Sequence, residues 1–284
     1  MTVDNILTVD VEDWFHICGV ENHIPLTDLS HLESRVTYNT LKILDILSRK
    51  GVKATFFILG FVAKRHPDLI KHIQNAGHEI ATHGYSHRQV YTMTPITFRK
   101  DLKKSVEVIS HITNCPIKGF RAPEWSIRDD SLWALDILQQ EGFVYDSSMA
   151  PLHIIGNPKY KKTPYVLNLD QGQIWEVPPL VGTTPLVNFP LGGGWGLRTF
   201  PYSLIRNAIR KLNNQDHPAL VFLHPREFDY NNPHLRLPLV KRFVLNAGLE
   251  STEKRLARLL NDFNFTTVSD ALIHQASRNL INHG

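Results

Sequence analysis

Apolar positions follow two alternating rhythms along the chain. Short β-branched or aromatic runs predict strands at Ile6–Val11, Val52–Leu59, His78–Thr82, Ile117–Arg121, Phe143–Tyr145, Gln173–Val177, Ala219–Leu223 and Thr266–Val268. Between them, three- and four-residue spacing predicts amphipathic helices. Leu41, Ile43, Leu44, Ile46 and Leu47 mark one that Gly51 closes, and Pro67–Ala76 begins on Pro and stops at Gly77. Thr94–Pro95 opens a helix with the stripe Phe98, Leu102, Val106 and Ile109. Further helices are read at Asp130–Gln140, around Leu204–Leu212, around Leu256–Phe263 and in the tail after Ser269. Strand and helix alternate about seven times without an internal repeat, which predicts one α/β domain over 1–284 with a parallel sheet curled into an incomplete barrel. From Pro151 to Pro201 the rhythm lapses into Pro- and Gly-rich chain, broken only by the strand at 173–177. An irregular insertion of this length is usually functional.

Composition narrows the class. In 284 residues, 42% hydrophobic content supports a large core and rules out a disordered or fibrous chain. Thirty-one basic against 27 acidic residues leave a formal charge of +4 with no dense basic run, so a nucleic-acid partner is not expected. Cys18 and Cys115 form no CxxC pair, which excludes a disulfide scaffold and a Cys-rich zinc site. No 18-residue apolar run and no basic, then apolar leader is present; the expectation is a chain without a transmembrane segment that meets its substrate in the cytoplasm.

Reactive groups collect where strands end, the positions that a parallel α/β sheet brings to one rim. Asp10, Glu12 and Asp13 follow the first strand, and three carboxylates this close call for a cation or a basic partner, or else form a solvated turn. If the strand continues, Asp10 and Glu12 share a face. His83 and His87 follow the third strand. At the spacing of one helical turn, with Cβ atoms about 5–6 Å apart, both imidazoles reach one ion, although H-x-x-x-H alone is a weak signal in a chain with 15 His. Arg121, followed by Ala122-Pro123, is either a loop anchor or a guanidinium that holds a carboxylate through paired hydrogen bonds. His224 ends the Val221–Leu223 strand and is either a packed histidine or a general acid or base. Together they supply a base, three ligands, an orienting Arg and an acid, a complete set for metal-assisted hydrolysis of an amide or ester. Gly192-Gly193-Gly194-Trp195 lacks the Lys-Ser/Thr of a phosphate loop and fits close approach to a ligand or a flexible turn. Of Trp14, Trp125, Trp175 and Trp195, one or two are expected to offer a sugar-stacking face.

The chain resembles the polysaccharide deacetylases of carbohydrate esterase family 4. The likeness is most specific in Gly77-His78-Glu79-Ile80-Ala81-Thr82-His83-Gly84-Tyr85-Ser86-His87, which is similar to the family's H-[ST]-x-x-H segment, and extends to Arg121-Ala122-Pro123 and Tyr145-Asp146-Ser147-Ser148. Thr8-Val9-Asp10-Val11-Glu12-Asp13-Trp14 departs from the common T-F-D-D-G form and resembles the exopolysaccharide-locus and peptidoglycan-deacetylase-like branch. The glycine run and His224-Pro225-Arg226-Glu227-Phe228 are similar to that branch too, although Trp is the residue expected at position 226.

The resemblance implies a distorted (β/α)7 barrel that removes N-acetyl groups from an acetylated amino sugar. It implies Asp10 as base, His224 as acid and Arg121 as the residue orienting Asp10. A divalent ion, with zinc expected, would sit on His83, His87 and one of Glu12 and Asp13, with Asp13 preferred as the shorter acid. Tyr85 (through a backbone N–H), Pro123, Trp125 and Trp195 are the expected substrate contacts. The expected partner is an acetylated glycan or a lipid- or nucleotide-linked sugar. Two other readings are a metal-independent cyclic-amide hydrolase of the same superfamily and a sugar-binding module without catalysis.

Overall fold

The structure, a computed structural model, describes residues 3–16, 32–231, 233 and 237–282; Cys18 lies outside them. β1 (Asn5–Val11) is buried at every position, as a parallel strand covered on both faces must be. α1 (Val36–Lys50) buries Val36, Ile43, Leu44 and Leu47 and ends where Gly51 takes a φ of 64° and returns its N–H to the carbonyls of Leu47 and Ser48. β2 (Thr55–Ile58) leads into α2 (Gly60–Arg65), whose six residues are too few to leave a periodic signal in sequence. α3 (Pro67–Asn75), β3 (Glu79–Thr82), α4 (Pro95–Thr113), β4 (Gly119–Phe120), α5 (Trp133–Gln140) and β5 (Tyr145–Asp146) complete the regular part. Thr94 caps α4 through a reciprocal box with Thr97.

The stretch expected to be irregular holds more order than its pattern shows. β6 (Tyr165–Leu169) and β7 (Gly172–Glu176) form a hairpin, β8 (Val181–Thr183) and β9 (Asn188–Pro190) a second ribbon, and α6 (Gly194–Thr199) follows the glycine run. Three-residue strands containing Gly and Pro have no periodicity to read. α7 (Tyr202–Asn213), β10 (Leu220–Leu223), α8 (Leu239–Asn246), α9 (Thr252–Asp262), β11 (Phe265–Thr266) and α10 (Val268–Asn282) finish the chain. No helix among the described residues is long and apolar enough to cross a membrane.

The main sheet runs β10-β1-β2-β3-β4-β5-β7-β6, parallel throughout except for the outer β6, with β11 paired to the start of β1. It curls until its edges meet across irregular chain. Leu180 N–H donates to Leu220 O (3.0 Å) and Phe222 N–H to Gly192 O (2.8 Å). The result is a distorted (β/α)7 barrel. Period-two alternation sorts its strands: Leu7, Val9, Val11, Phe56 and Ile58 pack in the cluster shared with the helices, whereas Ile6 and Phe57 belong to a second cluster with Tyr145, Val177 and Leu220. Thr8 and Asp10 continue the inward row of Ile6 and so bring polar groups to the barrel axis.

Gly192 sits at the seam, where a Cβ would lie 2.7 Å from Leu220 O and 3.0 Å from Leu180 N. Gly192→Ala is expected to cost about 1–3 kcal/mol by overpacking, read as a lower urea midpoint at unchanged m-value.

Candidate active site

Arg121 leaves the end of β4 and is fully buried. Its Nη1 donates to Asp10 Oδ1 (2.7 Å) and Thr8 Oγ1 (2.8 Å), its Nη2 to Ser147 Oγ (2.9 Å) and its Nε to Ser147 O (3.2 Å). The guanidinium also lies 4.1 Å from the Phe57 ring centre and 4.4 Å from that of Trp125. Arg121 therefore does hold Asp10, but through one hydrogen bond rather than a pair, because Thr8 and Ser147 take its other donors. Asp10 Oδ2 stays clear of this clamp, 3.8 Å from His224 Nε2.

Glu12, His83 and His87 converge beside it, with one ligand atom from each lying within 4.8 Å of the others. Glu12 Oε2 and His87 Nε2 are in direct contact. His83 Nδ1 meets Arg121 O at 2.8 Å, which fixes the ring and leaves Nε2 for the cluster. The two histidines are not joined by a helical turn. A loop bent by Gly84 (φ 74°) and by His87 itself (φ 55°) brings their rings to 5.4 Å. Left-handed backbone is costly for a non-glycine residue, and Glu124 and Trp125, at the same cleft, adopt it as well.

Asp13, the preferred third ligand by sequence, is not with the histidines. The chain turns after Val11 with Glu12 N–H donating to Asp10 O. Asp13 then accepts hydrogen bonds from Trp14 N–H (3.0 Å), Arg35 N–H (3.1 Å) and the Ser34 hydroxyl. Its carboxylate ties the turn to the start of α1, and Glu12 takes the position at the cluster.

The protonation states suit ligation. Burial alone would raise the Glu12 pKa, yet the neighbouring histidines, His87 foremost, hold it far below the usual carboxylate range. Burial pushes His83 down to about 4 and His16 to about 3, so both imidazoles are neutral near pH 7. His16 was not singled out by sequence. It lines the cleft, accepts the Asp13 N–H on Nδ1 (2.9 Å) and stacks at 5.8 Å from His87.

His224 enters from β10 with Nε2 3.4 Å from Glu12 Oε1. Burial opposes its charged form, but a hydrogen bond to Glu227 and the charges of Glu227, Glu12 and Asp10 raise its pKa overall. Glu227, Arg198 and Arg226 complete that wall of a cavity of about 240 Å³, and Trp125 and Trp195 also line it. Two expected substrate contacts fall elsewhere. Tyr85 N–H donates to Asp101 Oδ2 (2.8 Å) and its ring lies under Lys104, so that amide is already committed. Pro123 is buried in the turn that carries Trp125 and does not line the cavity. Trp14 instead donates to Glu33 O, and Trp175 sits on β7.

Beneath Arg121 lies a pair of fully buried carboxyls, Asp146 and Glu176, facing each other across β5 and β7. Ser148 Oγ accepts the Ala122 N–H (2.7 Å) and donates to Asp146 Oδ1 (2.5 Å), and Glu176 Oε1 accepts the Met149 N–H (3.0 Å). Burial pushes Asp146 up to about 6 and Glu176 well above the carboxylate range, so the pair shares a proton.

Fold and site thus define an α/β barrel with a metal-competent centre at the carboxyl ends of its strands. Residues 31–143 match the polysaccharide deacetylase family profile, and residues 147–273 match a domain of unknown function (DUF3473). A peptidoglycan-N-acetylglucosamine deacetylase of Bacillus cereus is 37% identical over 98 residues, 34% of this chain and 36% of that one. A peptidoglycan deacetylase of Helicobacter pylori is 27% identical over 201 residues, 68% of this chain and 60% of that one. The chain therefore spans between about a third and three fifths of these curated relatives. A Mycobacterium smegmatis crystal structure assigned to the polysaccharide deacetylases superposes with a TM-score of 0.64 at 20% identity, covering 97% of this chain and 92% of that one. Residues 31–143 thus belong with the polysaccharide deacetylases, and the chain as a whole has the fold of that superfamily.

The buried carboxyl pair gives the fold a signed pH dependence. Because both folded pKa values lie above the unfolded ones, the pair's contribution to stability is complete below about pH 4 and declines as pH rises through 6. Glu176→Gln replaces the shared proton by an amide hydrogen. Between pH 4 and 8 its urea midpoint should fall less than that of wild type; parallel pH curves would contradict the shared proton.

Proposed function

We propose that the chain is a divalent-metal-dependent N-deacetylase acting on an N-acetylated amino sugar in a glycan or glycan precursor. The observation that carries this is the convergence of the Glu12, His83 and His87 ligand atoms within 4.8 Å, next to Asp10 and His224 in one cleft. Two imidazoles and an ionised carboxylate are a fitting donor set for zinc. An ion held there supplies Lewis acidity, polarising a carbonyl oxygen and making water a stronger acid.

The chain's own groups supply the rest. Asp10, clamped through Oδ1 by Arg121, keeps Oδ2 to accept a proton from the attacking water. His224 has its pKa raised by the Glu227 hydrogen bond and neighbouring carboxylates against the opposing burial, so it delivers a proton to the departing amine nitrogen. The C–N bond breaks, releasing acetate and a free amino sugar. Trp195 offers a flat face to the sugar ring. A metal-free cyclic-amide hydrolase or a binding module has no use for the three-ligand cluster together with this base and acid. The reading extends to lipid- or nucleotide-linked glycans met in the cytoplasm; Leu152, Val181 and Leu245 give the cleft an apolar lining beside the cluster.

The purified protein should bind one divalent ion per chain. Glu12→Ala, His83→Ala and His87→Ala should lose both the ion and acetate release, whereas Asp13→Ala should keep the ion; metal analysis of the four variants decides. Full activity in metal-free wild type, or ion loss in Asp13→Ala alone, would refute the assignment. Asp10→Asn and His224→Ala should each lower kcat by about 10²–10⁴-fold while the ion stays bound. Wild-type rates in either variant would remove that residue from the chemistry.

A further inference from the structure

Beyond His224 the cleft wall carries two guanidiniums and one carboxylate. Arg198, on α6, is 3% exposed, and Arg226, two residues after His224, is half-buried. Arg198 Nη2 donates to Val244 O (2.7 Å) and Arg226 Nη2 to Leu245 O (3.1 Å), so both cations rest on carbonyls of the last turn of α8. A helix's carboxyl end carries partial negative charge and favours cations there. Glu227 Oε1 lies 3.2 Å from Arg198 Nη1, but the same side chain also accepts the His224 N–H (3.2 Å) and faces the His224 ring. Arg198 Nε is buried without a hydrogen-bond partner among the described residues. Two enclosed like charges repel: burial and then Arg198 depress the Arg226 pKa to about 10, against the opposing pull of Glu227 and Glu12. An arriving anion would relieve that repulsion.

We infer that Arg198 and Arg226 form an anion subsite of the substrate cleft, taking a carboxylate or phosphate group carried by the glycan. The inference rests on the deacetylase reading and sharpens it: the substrate is an acidic glycan or sugar phosphate, not a neutral chitin-like chain. Guanidinium is the side chain best suited to either oxyanion, since its fork offers two parallel N–H donors. Trp195, on the same helix as Arg198, lies on the same wall and supplies an apolar face for the sugar bearing the charge. Position 226 is also where the related branch leads one to expect Trp.

The test is binding by calorimetry, in parallel with acetate release, for three N-acetylated probes. These are neutral chitotetraose, an N-acetylglucosamine–glucuronate tetrasaccharide and the nucleotide diphosphate of N-acetylglucosamine. Wild type should bind one of the charged probes about 10- to 100-fold more tightly than chitotetraose, and whichever it prefers identifies carboxylate or phosphate as the source. In Arg226→Gln that ratio should fall by at least tenfold, and Arg226→Lys should restore part of it. Equal Kd for all three probes in wild type overturns the inference without any variant. So does a preference that survives Arg226→Gln in protein shown by thermal melting to be folded. If the charged preference holds and falls in Arg226→Gln but no probe yields acetate, the anion subsite stands and the deacetylase reading fails.

Discussion

Arg121 is the largest side chain buried completely among the described residues, and its charge has to be answered inside the barrel. Asp10 neutralises it, Thr8 and Ser147 accept three further hydrogen bonds, and Phe57 and Trp125 cover its faces. Breaking such a pair from one side leaves an unpaired buried charge, a loss of about 3–5 kcal/mol. The same residue also uses its backbone carbonyl to orient His83. One position therefore sets both where the carboxylate of β1 stands and how the first imidazole of the cluster is turned, which fixes the distance between the two halves of the site.

The layer below keeps Arg121 itself in place. Ser148 links Ala122 to Asp146, and Glu176 holds the chain at Met149, so the turn after β4 is pinned to β5 and β7 by groups that are all buried. Two carboxyls can be neighbours there only if a proton lies between them, because like charges without water cannot both ionise. Rigid support of this kind lets the cleft tolerate three non-glycine residues in left-handed backbone, at His87, Glu124 and Trp125.

What was legible in sequence follows from locality. β1, α1 and α4 announce themselves through unbroken periodicity and through Gly51 and Thr94, whose roles involve only their own neighbours. The grouping of Asp10, His83, Arg121 and His224 was legible too, since each ends a strand of one parallel sheet. The choice between Glu12 and Asp13 was not. Strand alternation pointed to Glu12, but the deciding contacts of Asp13 come from Ser34 and Arg35, across a segment with no pattern linking the two. His83 and His87 do meet, yet by loop conformation and not by helix geometry. Arg198 carries no local signal at all; only closure of the barrel brings α6 beside Glu227 in the turn after β10.

That closure has an evolutionary side. Across most of the barrel, neighbouring strands are locked in register, and a residue inserted there would flip side chains from one face to the other. At the seam, the hydrogen bonds Leu180 N–H to Leu220 O and Phe222 N–H to Gly192 O replace a continuous ladder, and the chain that follows Leu180 also carries Trp195 and Arg198 to the cleft. Lengthening or exchanging that chain would alter the shape and charge of the binding wall while leaving Asp10, His83 and Arg121 on their strands. The barrel is divided into a part that must stay and a part that is free to drift, so new substrate preferences can arise without rebuilding the chemistry.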